Sequence, residues 1–248
     1  MSNYALTRRY FLGSTTLTFL FGAAAGAGAK TITGQPPWAA FAANPPTPEL
    51  GNGLLFFIPS EFTTIEAMVA RLIPADELGP GAKEAGCATF IDRQLAGSFG
   101  TFQRFYMQAP FANGTPQQGP QSPTVPHVIY RTGLAALDAY CRATYAGKAF
   151  IALEAAQQDA VLQAMEKGEA KFAGAVPAQQ FFAMLLQNTR EGFFADPLYG
   201  GNRDMIGWKL VGFPGARYDY RDHAAKHNQP YPLPPVGIFG RPDWQMKG

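Results

Sequence analysis

Apolar residues in this chain recur at helical spacing, in blocks that proline and glycine cut short, and this limits the fold more than any other feature. Ile65, Met68, Val69 and Leu72 fall at i, i+3, i+4 and i+7. They form one stripe of a helix that opens at Pro59-Ser60-Glu61, carries Thr63 and Glu66 at capping-box spacing, and ends at Pro74. A second helix is expected from about residue 82 to 95, with Cys87, Phe90, Ile91 and Leu95 on one face. Aromatic residues 99–111 suggest another turn or two, and the Gly, Pro and Gln of 112–126 read as a surface loop. Helical sequence returns at 127–145, with Leu134, Leu137, Cys141 and Tyr145 in a stripe, and again at 153–165. Pro177, read as a first-turn proline, leads into Phe181-Phe182-Ala183-Met184-Leu185-Leu186, apolar almost all round and therefore a buried helix. A short helix is expected at 205–210. The fold class is mostly α: a single helical-bundle domain of about five or six helices, with extended Pro/Gly-rich N- and C-terminal arms.

The rest of the chain divides around that domain. In residues 1–29, Arg8 and Arg9 stand before Tyr10, Phe11 and Leu12, then a modestly apolar stretch diluted by Ser14, Thr15, Thr16 and Thr18. The segment ends Ala27-Gly28-Ala29, the small-x-small pattern of a signal-peptidase site. This resembles a twin-arginine export signal, in which Arg8, Arg9, Phe11 and Leu12 are the signal residues. The alternative is an uncleaved anchor helix. Residues 30–53 read as an extended linker, 54–211 as the helical domain, and 212–248 as an irregular aromatic, proline-rich tail that packs on a partner. The twin-arginine route carries folded cargo, typically loaded with a cofactor, so the body is searched for one.

Composition excludes whole classes. Hydrophobic residues at 47% against 15% charged rule out a disordered polyelectrolyte. Of 20 basic residues, Arg8 and Arg9 lie in the leader, so 18 remain against 18 acidic residues, and a neutral body has no footprint for nucleic acid. Beyond the leader no apolar run reaches the length of a membrane span. No Cys-x-x-Cys-His, dinucleotide-binding glycine motif, His-Glu-x-x-His or Gly-x-Ser-x-Gly occurs. Two cysteines cannot hold an ordinary iron–sulfur cluster. His223 and His227 have ligand spacing but lie in the tail, where solvated surface histidines are the simpler reading. His127 reads as structural, and Asp76-Glu77 as exposed acids flanking a helix. Cys87 and Cys141 fit two readings: buried free thiols, or, in an oxidising compartment, one intrachain disulfide worth roughly 4 kcal/mol in the chain-entropy model. No catalytic, cofactor-binding or metal-binding residue is assigned. An export signal for loaded cargo on a chain without a cofactor motif suggests that the chain ferries a folded partner.

Two blocks carry a resemblance. Glu66-Ala67-Met68-Val69-Ala70-Arg71-Leu72-Ile73-Pro74-Ala75-Asp76 continues to Gly79-Pro80-Gly81-Ala82, Glu84-Ala85-Gly86 and Phe90-Ile91-Asp92. The second block is Phe194-Ala195-Asp196-Pro197-Leu198-Tyr199-Gly200-Gly201-Asn202-Arg203-Asp204, with Gly207-Trp208-Lys209 and Gly212-Phe213-Pro214-Gly215. Together they resemble the gluconate 2-dehydrogenase subunit 3 family. The resemblance implies a non-catalytic small subunit of a periplasmic dehydrogenase complex held at the inner membrane through its partners. Those partners would be a large FAD-bearing subunit and a multihaem cytochrome c, so FAD and haem c belong to other chains. It also implies a role in assembly and export of the flavin subunit. Related complexes oxidise fructose, sorbitol, glucose or 2-ketogluconate, and a free-standing periplasmic binding or scaffold protein is the rival from another class. Within the second block, Asp196, Tyr199, Gly200, Gly201, Asn202 and Trp208 support two readings: a glycine-permitted corner that closes the fold, or part of a partner interface anchored by an aromatic.

Overall fold

The computed structural model describes residues 53–238, except 113, 116–117, 119–121 and 218–219. Arg8, Arg9, Phe11 and Leu12, nearly all of the 30–53 linker and the last ten residues of the tail lie outside the described residues. Six α-helices and no strand occur among the described residues.

Helix α1 spans Pro59–Leu72 and buries Ile65, Met68 and Val69. Proline suits its first position, where an N–H would have no helical partner. The Glu61 carboxylate accepts from the Ile58 N–H at 3.0 Å, closing the first turn. Thr63 and Glu66 are therefore not the cap that their spacing suggests. They lie inside α1, and the Thr63 hydroxyl donates to the Pro59 carbonyl at 2.9 Å. The chain turns sharply after Pro74: Asp76 and Gly79 exchange backbone hydrogen bonds, and the Ala82 N–H donates to the Ile73 carbonyl at 2.9 Å. This return buries Ala82 and Ala85 completely.

Helix α2 runs Cys87–Ala96, starting five residues later than the periodicity suggests. Gly86 is the reason, since it sits in the left-handed region at φ 75° and cannot continue a helix from Ala82. Residues 99–111 form turns rather than a further helix. Helices α3 (Pro126–Thr144) and α4 (Ala155–Glu166) follow the expected stripes, burying Leu134, Leu137 and Cys141 on the first and Val161, Leu162 and Met165 on the second.

Helix α5, Ala178–Phe194, is the centre of the bundle and packs against α1, α2, α3 and α4. Pro177 precedes it as the N-cap rather than occupying the first turn. Phe181, Leu185 and Phe193 are essentially sealed from solvent, each burial stabilising the fold by about 1.5–3 kcal/mol. The buried polar groups on α5 are satisfied: the Asn188 amide donates to the Tyr130 hydroxyl at 3.0 Å, and the Thr189 hydroxyl donates to the Leu185 carbonyl at 2.7 Å. Arg71 and Asp159 tie α1 to α4 through two hydrogen bonds of 2.7 and 2.6 Å, and the guanidinium holds the Asp159 carboxyl below its ordinary range. Helix α6, Ile206–Val211, is short and packs on α5.

The disulfide reading does not describe this structure. Cys87 and Cys141 are free, fully buried thiols. They lie on α2 and α3, and both of these helices face α5, so each thiol fills core space there. Burial pushes Cys87 up to about 12 and Cys141 to about 11, so both stay protonated and inert at neutral pH.

The described part of the tail folds back on the chain. Gly215 pairs with Val236 in a parallel bridge, the Ala216 N–H donates to the Val236 carbonyl at 2.6 Å, and Val236 is sealed from solvent. Most of 220–234 remains exposed.

Candidate functional site

The two sequence blocks singled out by resemblance meet in space. Arg203 joins them: its N–H donates to the Ala85 carbonyl at 3.0 Å and its guanidinium to the Thr89 hydroxyl at 2.9 Å. The corner after α5 is built from polar caps and close backbone contacts. Asp196 accepts from the Leu198 N–H at 3.0 Å, starting the tight turn Pro197–Tyr199. Asn202, fully buried, donates to the Ala195 carbonyl and accepts from the Gly207 N–H, both at 2.8 Å. Gly201 and Gly207 are required by contact. A methyl group added at Gly201 would lie 2.2 Å from the Gly192 carbonyl oxygen, and one at Gly207 would lie 2.1 Å from that of Phe193. Trp208 is 6% exposed, and its indole N–H donates to the Phe194 carbonyl at 2.8 Å.

Both readings of the corner can now be placed residue by residue. Gly200, Gly201, Asn202 and Trp208 are internal and close the fold. Asp196 is half-buried, and its second oxygen holds the returning tail by accepting from the Ile238 N–H at 2.7 Å. Tyr199 alone of the six points outward, at 40% exposed. Phe194 and, at the end of α6, Leu210, Val211 and Phe213 are also between 43 and 59% exposed.

A second constellation had no assigned role in the sequence. Asp92, fully buried on α2, accepts from three consecutive backbone N–H groups: Leu55 at 2.8 Å, Phe56 at 3.0 Å and Phe57 at 2.9 Å. Arg93 donates to the same carboxylate at 2.8 Å and to the Gly53 carbonyl at 2.8 Å. From α3, Arg131 pairs with Glu61 and the Phe56 carbonyl, its guanidinium 4.3 Å from the Phe56 ring centre. His127 also stacks on the Phe56 ring, with ring centroids 4.7 Å apart, and bonds the Leu95 carbonyl. That is a structural role, as its sequence position suggested. The available signal was an acid inside an apolar stripe, Phe90-Ile91-Asp92, which must find buried partners.

His223 and His227 do not form a ligand pair. His223 packs against Tyr231 at 4.7 Å and borders a cleft of about 400 Å³ with Tyr220 and Lys226, while His227 is exposed. Among the described residues no group of three or more His, Cys, Asp or Glu is placed to hold a metal ion. Among the described residues, no helix is long and apolar enough to cross a membrane.

Residues 59–215 match the model of a family described as Gluconate 2-dehydrogenase subunit 3. No curated protein and no solved structure matches the chain.

Proposed function

The chain belongs to the gluconate 2-dehydrogenase subunit 3 family, and on that footing we propose that it is the non-catalytic small subunit of a membrane-associated, FAD-dependent gluconate 2-dehydrogenase complex. In this reading the chain assembles with the flavin-bearing subunit and carries it out of the cytoplasm through the twin-arginine signal of residues 1–29. FAD and haem c reside in the large subunit and a multihaem cytochrome c. The complex works in the periplasm at the inner membrane, to which this chain is joined through its partners. Gluconate as substrate follows the family description.

The observation that carries the reading is the family match across 59–215, which spans both motif blocks and the corner that joins them. The site geometry supports it. The polar side chains held most firmly, Asp92, Asn202 and Arg93, are spent on the chain's own backbone. Both thiols are shielded and raised by burial, which suits packing and not nucleophilic chemistry. A rigid body with a leader upstream of an anchored entry segment suits a carrier of another subunit.

The test is fractionation of cells that express this chain with the flavin subunit. Arg8→Lys with Arg9→Lys is expected to leave the flavin subunit in the cytoplasm, although that subunit is unchanged. Flavin dehydrogenase reaching the periplasm at normal levels would give the partner its own route and sink the carrier role.

A further inference from the structure

We propose that the exposed apolar shelf formed by Phe194, Tyr199, Leu210, Val211 and Phe213 is the surface on which the flavin-bearing subunit docks; the assignment rests on the small-subunit reading above. The five side chains are 43%, 40%, 48%, 59% and 46% exposed, respectively. They lie on elements that meet at the corner. The Trp208 indole bonds the Phe194 carbonyl on one side and packs edge-on against the Phe213 ring on the other, with centroids 5.2 Å apart. Leu210 and Val211 lie between Trp208 and Phe213 in the chain, and the turn bearing Tyr199 packs on the Arg203–Met205 turn that leads into α6.

Helix α6 has an unusual distribution of side chains. A six-residue helix on a surface ordinarily turns its apolar residues inward, yet α6 buries Gly207 and Trp208 and leaves Leu210 and Val211 in solvent. Within the same corner Asn202 is bonded at two points, and Gly207 lies against the Phe193 carbonyl. A rigid base under exposed aromatic and aliphatic groups is the arrangement in which interface anchors act without an ordering cost.

The size and rim of the shelf select the occupant. Five large side chains about half exposed offer on the order of 400 Å² of apolar surface, within the range that marks interaction sites and about half of what one side of a standard protein interface buries. A patch of that size calls for a protein that also touches the surrounding surface. Exposed Arg203, Asp204 and Lys209 lie on the same turn and helix, giving both signs of charge. A lipid-facing patch would instead carry a basic rim. Membership in a family of dehydrogenase subunits supplies the protein partner, and in the proposed complex the folded cargo to be gripped is the flavin subunit.

The experiment co-expresses the full chain with the flavin-bearing subunit of the same organism and measures co-purification and Kd. Leu210→Glu with Val211→Glu adds two charges to side chains that the core does not use, so the thermal midpoint should stay within a few degrees of wild type. Association is expected to weaken at least tenfold. Leu78→Glu, at a 73% exposed turn position far along the chain, is expected to bind as wild type does. Wild-type binding by the double variant would overturn the shelf while leaving the small-subunit reading intact. A wild-type chain that captures no flavin subunit would overturn both. Self-association, or binding to anionic vesicles, that disappears in the double variant while flavin-subunit capture persists would assign the shelf to a second copy or to lipid and overturn the proposal.

Discussion

The entry and the exit of the helical domain are both irregular segments held by a buried polar side chain, but they are held by opposite means. At the entry a charge does the work: the Asp92 carboxylate gathers three backbone N–H groups and the Arg93 guanidinium. At the exit a neutral amide does it: Asn202 makes two hydrogen bonds, and the remaining fit comes from glycines pressed against carbonyl oxygens. A buried charge stabilises only while every partner is present, because its desolvation must be fully offset. A neutral amide costs less to bury and tolerates partial loss, but the close backbone approach around it does not. The entry is therefore sensitive to the loss of a group, and the exit to the addition of one.

Asp92→Ala should have the largest effect. Removing the carboxylate leaves Arg93 buried beside unpaired N–H groups and is expected to cost about 3–5 kcal/mol, read as a fall in the denaturant midpoint. Protease cutting near residues 53–58 should rise in parallel. A loss below about 1 kcal/mol would mean that the entry is held by Phe57 packing alone. At the exit, Asn202→Ala should cost about 2 kcal/mol, and Gly201→Ala should cost more than Asn202→Ala because a methyl group there collides with backbone. The reverse order would erase the contrast between the two ends. Asp196→Ala frees only the Ile238 N–H and the Leu198 cap, so about 1 kcal/mol is expected, together with faster hydrogen exchange confined to 236–238.

The smallest effect at neutral pH concerns the core that the two ends share. Cys87 and Cys141 are raised by burial, so the folded chain favours the neutral thiols. That contribution is complete below the unfolded thiol value near 8.5 and is lost as pH rises toward the folded values of about 12 and 11. Stability should fall by roughly 2 kcal/mol per thiol by pH 10. Thiol titration should find two groups reactive after unfolding and none before. A chain that yields none after unfolding would restore the disulfide.

Periodicity made the helices legible, because Ile65, Met68 and Val69, or Val161, Leu162 and Met165, announce a buried stripe directly. Position within a helix was less legible. Gly86 delays α2, and Glu61, not Thr63, closes α1, since caps depend on a single dihedral or hydrogen bond that spacing does not specify. Of the site, the Asp196–Trp208 block was visible as turn chemistry, but which residues face inward was not. Asn202 and Tyr199 are three positions apart, yet one is sealed and the other exposed. For Asp92 the sequence showed only an acid inside an apolar stripe; its partners were not legible, because they are backbone groups 35 to 37 residues upstream, and a backbone N–H leaves no letter in a sequence.

That same anonymity has a practical side. The entry clamp recognises peptide groups at 55, 56 and 57, with Phe57 the buried side chain among them. Because the grip is on backbone, proline is excluded at 55, 56 and 57, while the Phe56 ring is held separately by Arg131 and His127. Leu55, 59% exposed, can therefore be exchanged for a cysteine that carries a label without disturbing the clamp, whereas proline at the same position would release it.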